Sequence, residues 1–160
     1  MSLRPLRMPP RIKVLEAASA LGGGRVRVIG DSQDIVRGVV ASSDGTREYQ
    51  VILRPSRNRV FEAYSTDNGT RLRGYIGYPI IAVMMHQGVL PRDSYVERVL
   101  SNVPWRALNE RFKKYSMVER YLREEALPDA DWGRIEEFRA RVLSELRRLR
   151  IYLSEGLASP

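Results

Sequence analysis

Hydrophobic positions first recur at helical spacing over residues 11–21. Ile12, Leu15, Ala18 and Leu21 share one face there, and Gly22-Gly23-Gly24 ends the run. The period then drops to two. Four runs alternate or concentrate β-branched residues: Arg25–Ile29, Asp34–Ser42, Arg47–Leu53 and Asn58–Tyr64. Asp44-Gly45 marks a hairpin turn, Pro55 is expected to stop the third run, and Asp67-Asn68-Gly69 closes the fourth. Short loops without helical crossovers predict an antiparallel meander.

From Tyr78 onward the spacing is helical again. Pro79–Gln87 is almost wholly apolar and stops at Gly88. Asp93 or Ser94 caps a turn to Leu100, Pro104 suits the first position of a helix to Tyr115, and Ser116 with Glu119 forms a capping box for a helix to Ala126. After Pro128, Asp129 and Asp131, a last helix is expected over Trp132–Glu155. At 1.5 Å per residue it would be about 36 Å long. Its stripe is Ile135, Phe138, Val142, Leu146, Leu149 and Leu153. A terminal helix with so long a stripe predicts a self-association seam, with packing on its own domain as the alternative.

The pattern therefore predicts an α+β chain with a four-stranded antiparallel sheet, helices mainly on one face and a long C-terminal helix. Residues 1–10, with Arg4 and Arg7 among three prolines, read as a flexible basic arm. Residues 11–127 form the α+β domain and 128–160 the oligomerisation helix, making a homodimer the expected assembly.

Charge narrows the function. The formal net charge of the 160 residues is +8, carried by 24 arginines and three lysines. Such an excess favours a polyanionic partner, because cations near phosphates release condensed counterions. Cysteine is absent, which excludes disulfides, thiolate metal sites and cysteine nucleophiles, and His86 is the only histidine. No nucleophile–base pairing is visible, so neither enzymatic activity nor a cofactor or metal is expected. No run approaches ~18 apolar residues or resembles a signal peptide, so a cytoplasmic location is expected.

The densest chemistry lies between residues 54 and 78. Arg54, Arg57, Arg59, Arg71 and Arg73 are interleaved there with Phe61, Tyr64, Tyr75 and Tyr78. Single strands are held by this mixture, cations tracking the backbone and rings stacking on unpaired bases. A second cluster holds Trp105, Arg106, Arg111, Phe112, Lys113, Lys114 and Tyr115, of which Trp105, Lys113 and Lys114 are candidate contacts. For each aromatic, core packing is the competing role. The reading is a sequence-independent single-stranded DNA-binding protein that coats its ligand. The alternatives are an RNA-binding or ribosome-associated protein and a protein-interaction adaptor.

The order of elements resembles the ThermoDBP-related proteins, archaeal single-stranded DNA-binding proteins of hyperthermophiles. The stretches carrying the likeness are RPSRNRVF, GYIGYPIIAVMM and VPWRALNERFKKY. It implies a cleft of basic and hydrophobic side chains, and oligomerisation through a C-terminal coiled coil. A weaker likeness is to the SWIM module, with VFEAY and GYPIIAVMM in comparable places. Its zinc-ligand positions would hold Phe61, Ala63, Gly77 and Pro79, none of which binds zinc, so only a metal-free descendant fits.

Overall fold

The structure is a computed structural model describing residues 3–32 and 34–158. The chain opens on a two-residue edge strand, β1 (Arg4–Pro5), followed by helix α1 (Ile12–Gly22). Strands form at all four period-two runs: β2 (Val26–Asp31), β3 (Val36–Ala41), β4 (Glu48–Arg57) and β5 (Val60–Ser65). Six helices come next: α2 (Asn68–Arg71), α3 (Tyr78–His86), α4 (Ser94–Leu100), α5 (Trp105–Phe112), α6 (Tyr115–Tyr121) and α7 (Trp132–Arg147). A π-helical turn extends α6 over Leu122–Ala126, and a final strand, β6 (Arg150–Leu153), precedes a short 3₁₀ turn.

The α+β sheet has six strands, not four, and it is mixed, not antiparallel. Its order is β1-β6-β5-β4-β3-β2, with β6 parallel to β5 and every other pair antiparallel. The expected arm is thus tied down, as Arg4 pairs with Leu153 and Pro5 with Tyr152. A proline is tolerated there because an edge strand needs no ladder bond on its outer side. Pro55 does not stop β4 either. It faces Phe61 beside a register shift, where its missing N–H costs no pairing.

The long C-terminal helix is the second correction. It ends at Arg147, and residues 150–153 leave helical spacing to enter the sheet, with Ile151 opposite Phe61 and Leu153 opposite Ala63. The expected seam is consumed inside the chain. Ile135, Phe138, Val142, Leu146 and Leu153 are each no more than 2% exposed, and Leu149 packs half-buried against the same core.

One face of the sheet is covered by α3, which is apolar on nearly all sides, as a fully enclosed helix must be. Gly38 shows how close the contact is: a Cβ there would meet Val83 Cγ2 at 2.9 Å. Next outward lies α1, in contact with α3, α4 and α7. Arg139 of α7 is 1% exposed, yet charged. Its guanidinium donates to both Glu119 oxygens at 3.0 and 2.8 Å and to Glu136 at 2.8 Å, so each guanidinium nitrogen finds an anion and α6 is tied to α7. Removing one member of a buried ion pair strands the others. Arg139→Ala is therefore expected to cost about 3–5 kcal/mol, read as a lower urea midpoint at unchanged m-value. A midpoint like that of the wild type would show the network to be idle. No helix among the described residues is long and apolar enough to cross a membrane.

Candidate functional site

At one end of the sheet a cavity of about 410 Å³ opens between α1, the β3–β4 hairpin, residues 67–78 and α5. That size lies within the ~300–1,000 Å³ range of small-ligand pockets. Each wall has a local cause.

The first wall is built by Asp67. Buried at 6% exposure, it caps α2 by accepting from the Thr70 amide at 3.0 Å, and it also accepts from the hydroxyls of Ser65 and Thr70 at 2.5 and 2.9 Å. Thr70 Oγ1 in turn accepts from the Gly77 amide at 3.1 Å. Residue 77 is glycine because a Cβ there would collide with the Asp67 carboxylate. This closed circuit folds residues 67–77 back on themselves and sets Tyr75 and Tyr78 against the cavity.

The second wall is α1. Lys13 Nζ lies 2.8 Å from Glu16 Oε2, out of line for a hydrogen bond, with both side chains nearly buried. Burial opposes the ammonium charge, but the Glu16 carboxylate outweighs it, with Tyr75 and Tyr115 adding to the effect. The Lys13 pKa therefore rises above the ordinary lysine value. A permanently charged lysine is no nucleophile, but it is a fixed cation. Burial also pushes the Tyr75 phenol up to about 12, against the opposing pull of Lys13. Tyr78 is raised too, by burial and then by Glu16 and Tyr49, against Arg25. Both phenols are thus neutral hydrogen-bonding groups and ring surfaces.

The rim is cationic. Arg106 is engaged, donating to Thr46 Oγ1 at 2.6 Å and lying 3.5 Å from Asp44. Hydrogen bonds from the Thr46 hydroxyl and amide, then from Ser42, hold the Asp44 carboxyl below the usual carboxylate range, with Arg106 adding to them. Arg47, Arg73 and Lys113 also line the cavity, and none of them has an ion pair among the described residues. Lys113 ends α5 at φ 65°, a left-handed conformation that a side chain adopts at some cost and that lets Tyr115 start α6 at once. Trp105 and Asn109 also line the cavity, although Trp105 Nε1 and Asn109 Oδ1 themselves are closed off from solvent, without a hydrogen-bond partner among the described residues. No cluster of metal-ligating side chains occurs among those residues.

Residues 6–152 match the model of the family described as Uncharacterised conserved protein UCP014422. The chain belongs to this family. Comparison with curated proteins and with solved structures found no match. The family match spans every residue that lines the cavity.

Of the candidate contacts read from sequence, the cavity brings together Arg73, Tyr75, Tyr78, Trp105 and Lys113. Arg71 and Lys114 are exposed neighbours of the rim in the chain. The remainder lie elsewhere. Arg54 is paired with Glu62 at 2.5 Å on the sheet face away from α3, and Tyr64 shares that face. Phe61 is half-buried against the core. Arg57 and Arg59 sit at the β4–β5 turn, the far end of β4 from Tyr49. Eight residues of strand put them roughly 26 Å from the cavity.

Sequence reasoning missed Lys13, Glu16, Arg47, Tyr49 and Asn109. One signal was available: Lys13 and Glu16 interrupt an otherwise apolar and small-residue helix at i, i+3 spacing. The others became neighbours only through the fold.

Proposed function

We propose that this protein binds single-stranded nucleic acid, DNA being the expected form, across the mouth of the cavity. The observation that carries the reading is the convergence of three unpaired cations, Arg47, Arg73 and Lys113, on a cavity walled by Tyr75, Tyr78 and Trp105. Cations suit a phosphate backbone and rings suit unpaired bases. A 410 Å³ cavity admits one unstacked nucleotide but no duplex. The net charge of +8 adds long-range attraction. The likeness to the ThermoDBP-related proteins points the same way, although the part of it that rested on a long terminal helix falls away. In this reading the protein works passively, in the cytoplasm.

Competition among matched single-stranded DNA, duplex DNA and RNA at several salt concentrations tests the proposal. Single-stranded DNA should win, with log affinity falling linearly against log salt; equal or tighter duplex binding overturns the reading. Arg73→Ala with Lys113→Ala should weaken binding of a short strand about tenfold to a hundredfold, since each solvent-facing contact contributes a net ~0.5–1.5 kcal/mol. The same variant should flatten the salt slope by about 1.4, at ~0.7 per phosphate. Arg57→Ala with Arg59→Ala removes equal charge at the distant turn and should change affinity by less than about twofold. If the two double variants behave alike, only bulk charge matters and the cavity is not the site.

A further inference from the structure

We propose that the five arginines gathered at the β4–β5 turn, the end of α7 and the start of β6 form a second phosphate site, which holds a nucleic-acid strand where it continues beyond the cavity. The inference rests on the strand-binding reading above and adds a contact about 26 Å away, out of reach of a short strand.

The register gathers the cluster. Arg57 faces Val60 across the turn, Val60 faces Arg150 on β6, and the Arg150 amide donates to the Arg59 carbonyl at 2.8 Å. Arg147 and Arg148 stand just before them, at the end of α7. All five are exposed. Among the described residues, Glu145, at 3.6 Å from Arg148, is the only carboxylate paired with any of them. Cations at a helix C-terminus offset the helix dipole, which accounts for Arg147 and Arg148. That leaves Arg57, Arg59 and Arg150, like charges on neighbouring strands that repel unless an anion lies among them.

Arg59 adds a second observation. It ends the tight Asn58-Arg59 turn at φ 62°, where glycine is the favoured residue. Among the described residues the other non-glycine with a positive φ is Lys113, at the cavity rim. Both left-handed positions thus carry a cation where glycine would be less strained, one beside the cavity and one in the cluster. Strain kept at two cations is what a shared anionic ligand would offset.

The chemistry of the cluster points to phosphate. Guanidinium forks match phosphate oxygens in pairs. A membrane surface would also call for apolar side chains to insert, yet the exposed large hydrophobics among the described residues are Leu3, Ile29, Leu72 and Met117, none of them in the cluster. Between the two ends, the sheet face away from α3 presents Tyr64 and Tyr152 on adjacent strands, half-buried rings on which the bases of a crossing strand can lie.

Fluorescence anisotropy with thymidylate strands of about 4 and about 16 nucleotides, the limits of single-module site sizes, tests the proposal. Arg57→Ala with Arg150→Ala should weaken the long strand about tenfold, flatten its salt slope by about 1.4 and change the short strand less than about twofold. Arg98→Ala with Arg120→Ala removes the same charge from exposed positions on α4 and α6, and should leave both strands within about twofold. Arg59→Gly relieves the backbone, so its urea midpoint should equal or exceed that of the wild type while long-strand affinity falls about threefold. Arg59→Lys should keep most of that affinity. Equal loss on both lengths, or none on the long strand, overturns the second site. Phosphatidylserine vesicles that bind more tightly than the long strand, and lose that binding in the Arg57 and Arg150 variant, make the cluster a membrane contact and overturn it too. The two readings fail separately. Long-strand binding that responds to Arg73 and Lys113 but not to the cluster refutes the second site alone. The reverse supports the cluster as a phosphate site and refutes the cavity reading.

Discussion

Replacing Leu146 with Asp is expected to abolish the folded state, not to dissociate an assembly. Leu146 is 1% exposed within the core that α7 shares with α1 and α4. The substitution removes a packed side chain, at ~2–5 kcal/mol for truncation alone. It also buries an unpaired carboxylate in an apolar core, adding several kcal/mol. Against a total stability of ~5–15 kcal/mol, that loss is decisive. Circular dichroism should show no cooperative thermal transition at 25 °C and above. Leu149→Asp, at a half-buried position, should give a folded but weakened protein. A Leu146→Asp chain that stayed folded and merely lost mass in light scattering would restore the seam expected from the sequence.

Asp67→Ala should show the second largest effect, and on two measurements at once. The carboxylate accepts from Ser65, from the Thr70 amide and from the Thr70 hydroxyl. Its loss strands a buried amide and two hydroxyls, each costing ~1–3 kcal/mol. We expect about 3–5 kcal/mol of destabilisation in urea, because relaxation recovers part of the sum. The Thr70–Gly77 bond then loses its support, so Tyr75 and Tyr78 are no longer held against the cavity, and strand affinity should fall about tenfold. Asp67→Asn keeps one carbonyl acceptor and should retain more of both properties. An alanine variant with full affinity would show that residues 67–77 do not shape the binding surface.

Much of the local structure was legible in the sequence because it is set by neighbours a few residues apart. The β-branched alternation of Val26–Ile29 and Val36–Ala41, the apolar run at Pro79–Met85 and the glycine stop after Leu21 each specify an element whatever it packs against. The basic excess was equally plain. The strand β6 was not. In Leu146, Leu149 and Leu153 the helical spacing continues, while Arg150-Ile151-Tyr152-Leu153 also alternates, so both periods fit the same residues. The choice fell to β5, whose open edge offered Ile151 and Leu153 a parallel ladder and buried contacts beside Phe61 and Ala63. A free helix end would have left those side chains half in water.

The candidate site divides along the same line. Sequence by itself determined that cations and rings are plentiful between residues 54 and 78 and again near 105–115. It could not say which of them meet, since proximity along the chain says little about distance in space. Arg59 and Arg73 are fourteen residues apart and lie at opposite ends of the sheet, whereas Lys13, Tyr75 and Trp105, far separated in sequence, line one cavity. The element types thus follow from local spacing and side-chain shape. The mixed sheet, the burial of the α7 stripe and the composition of the cavity were decided only by tertiary packing, which rewards contacts that no local pattern records.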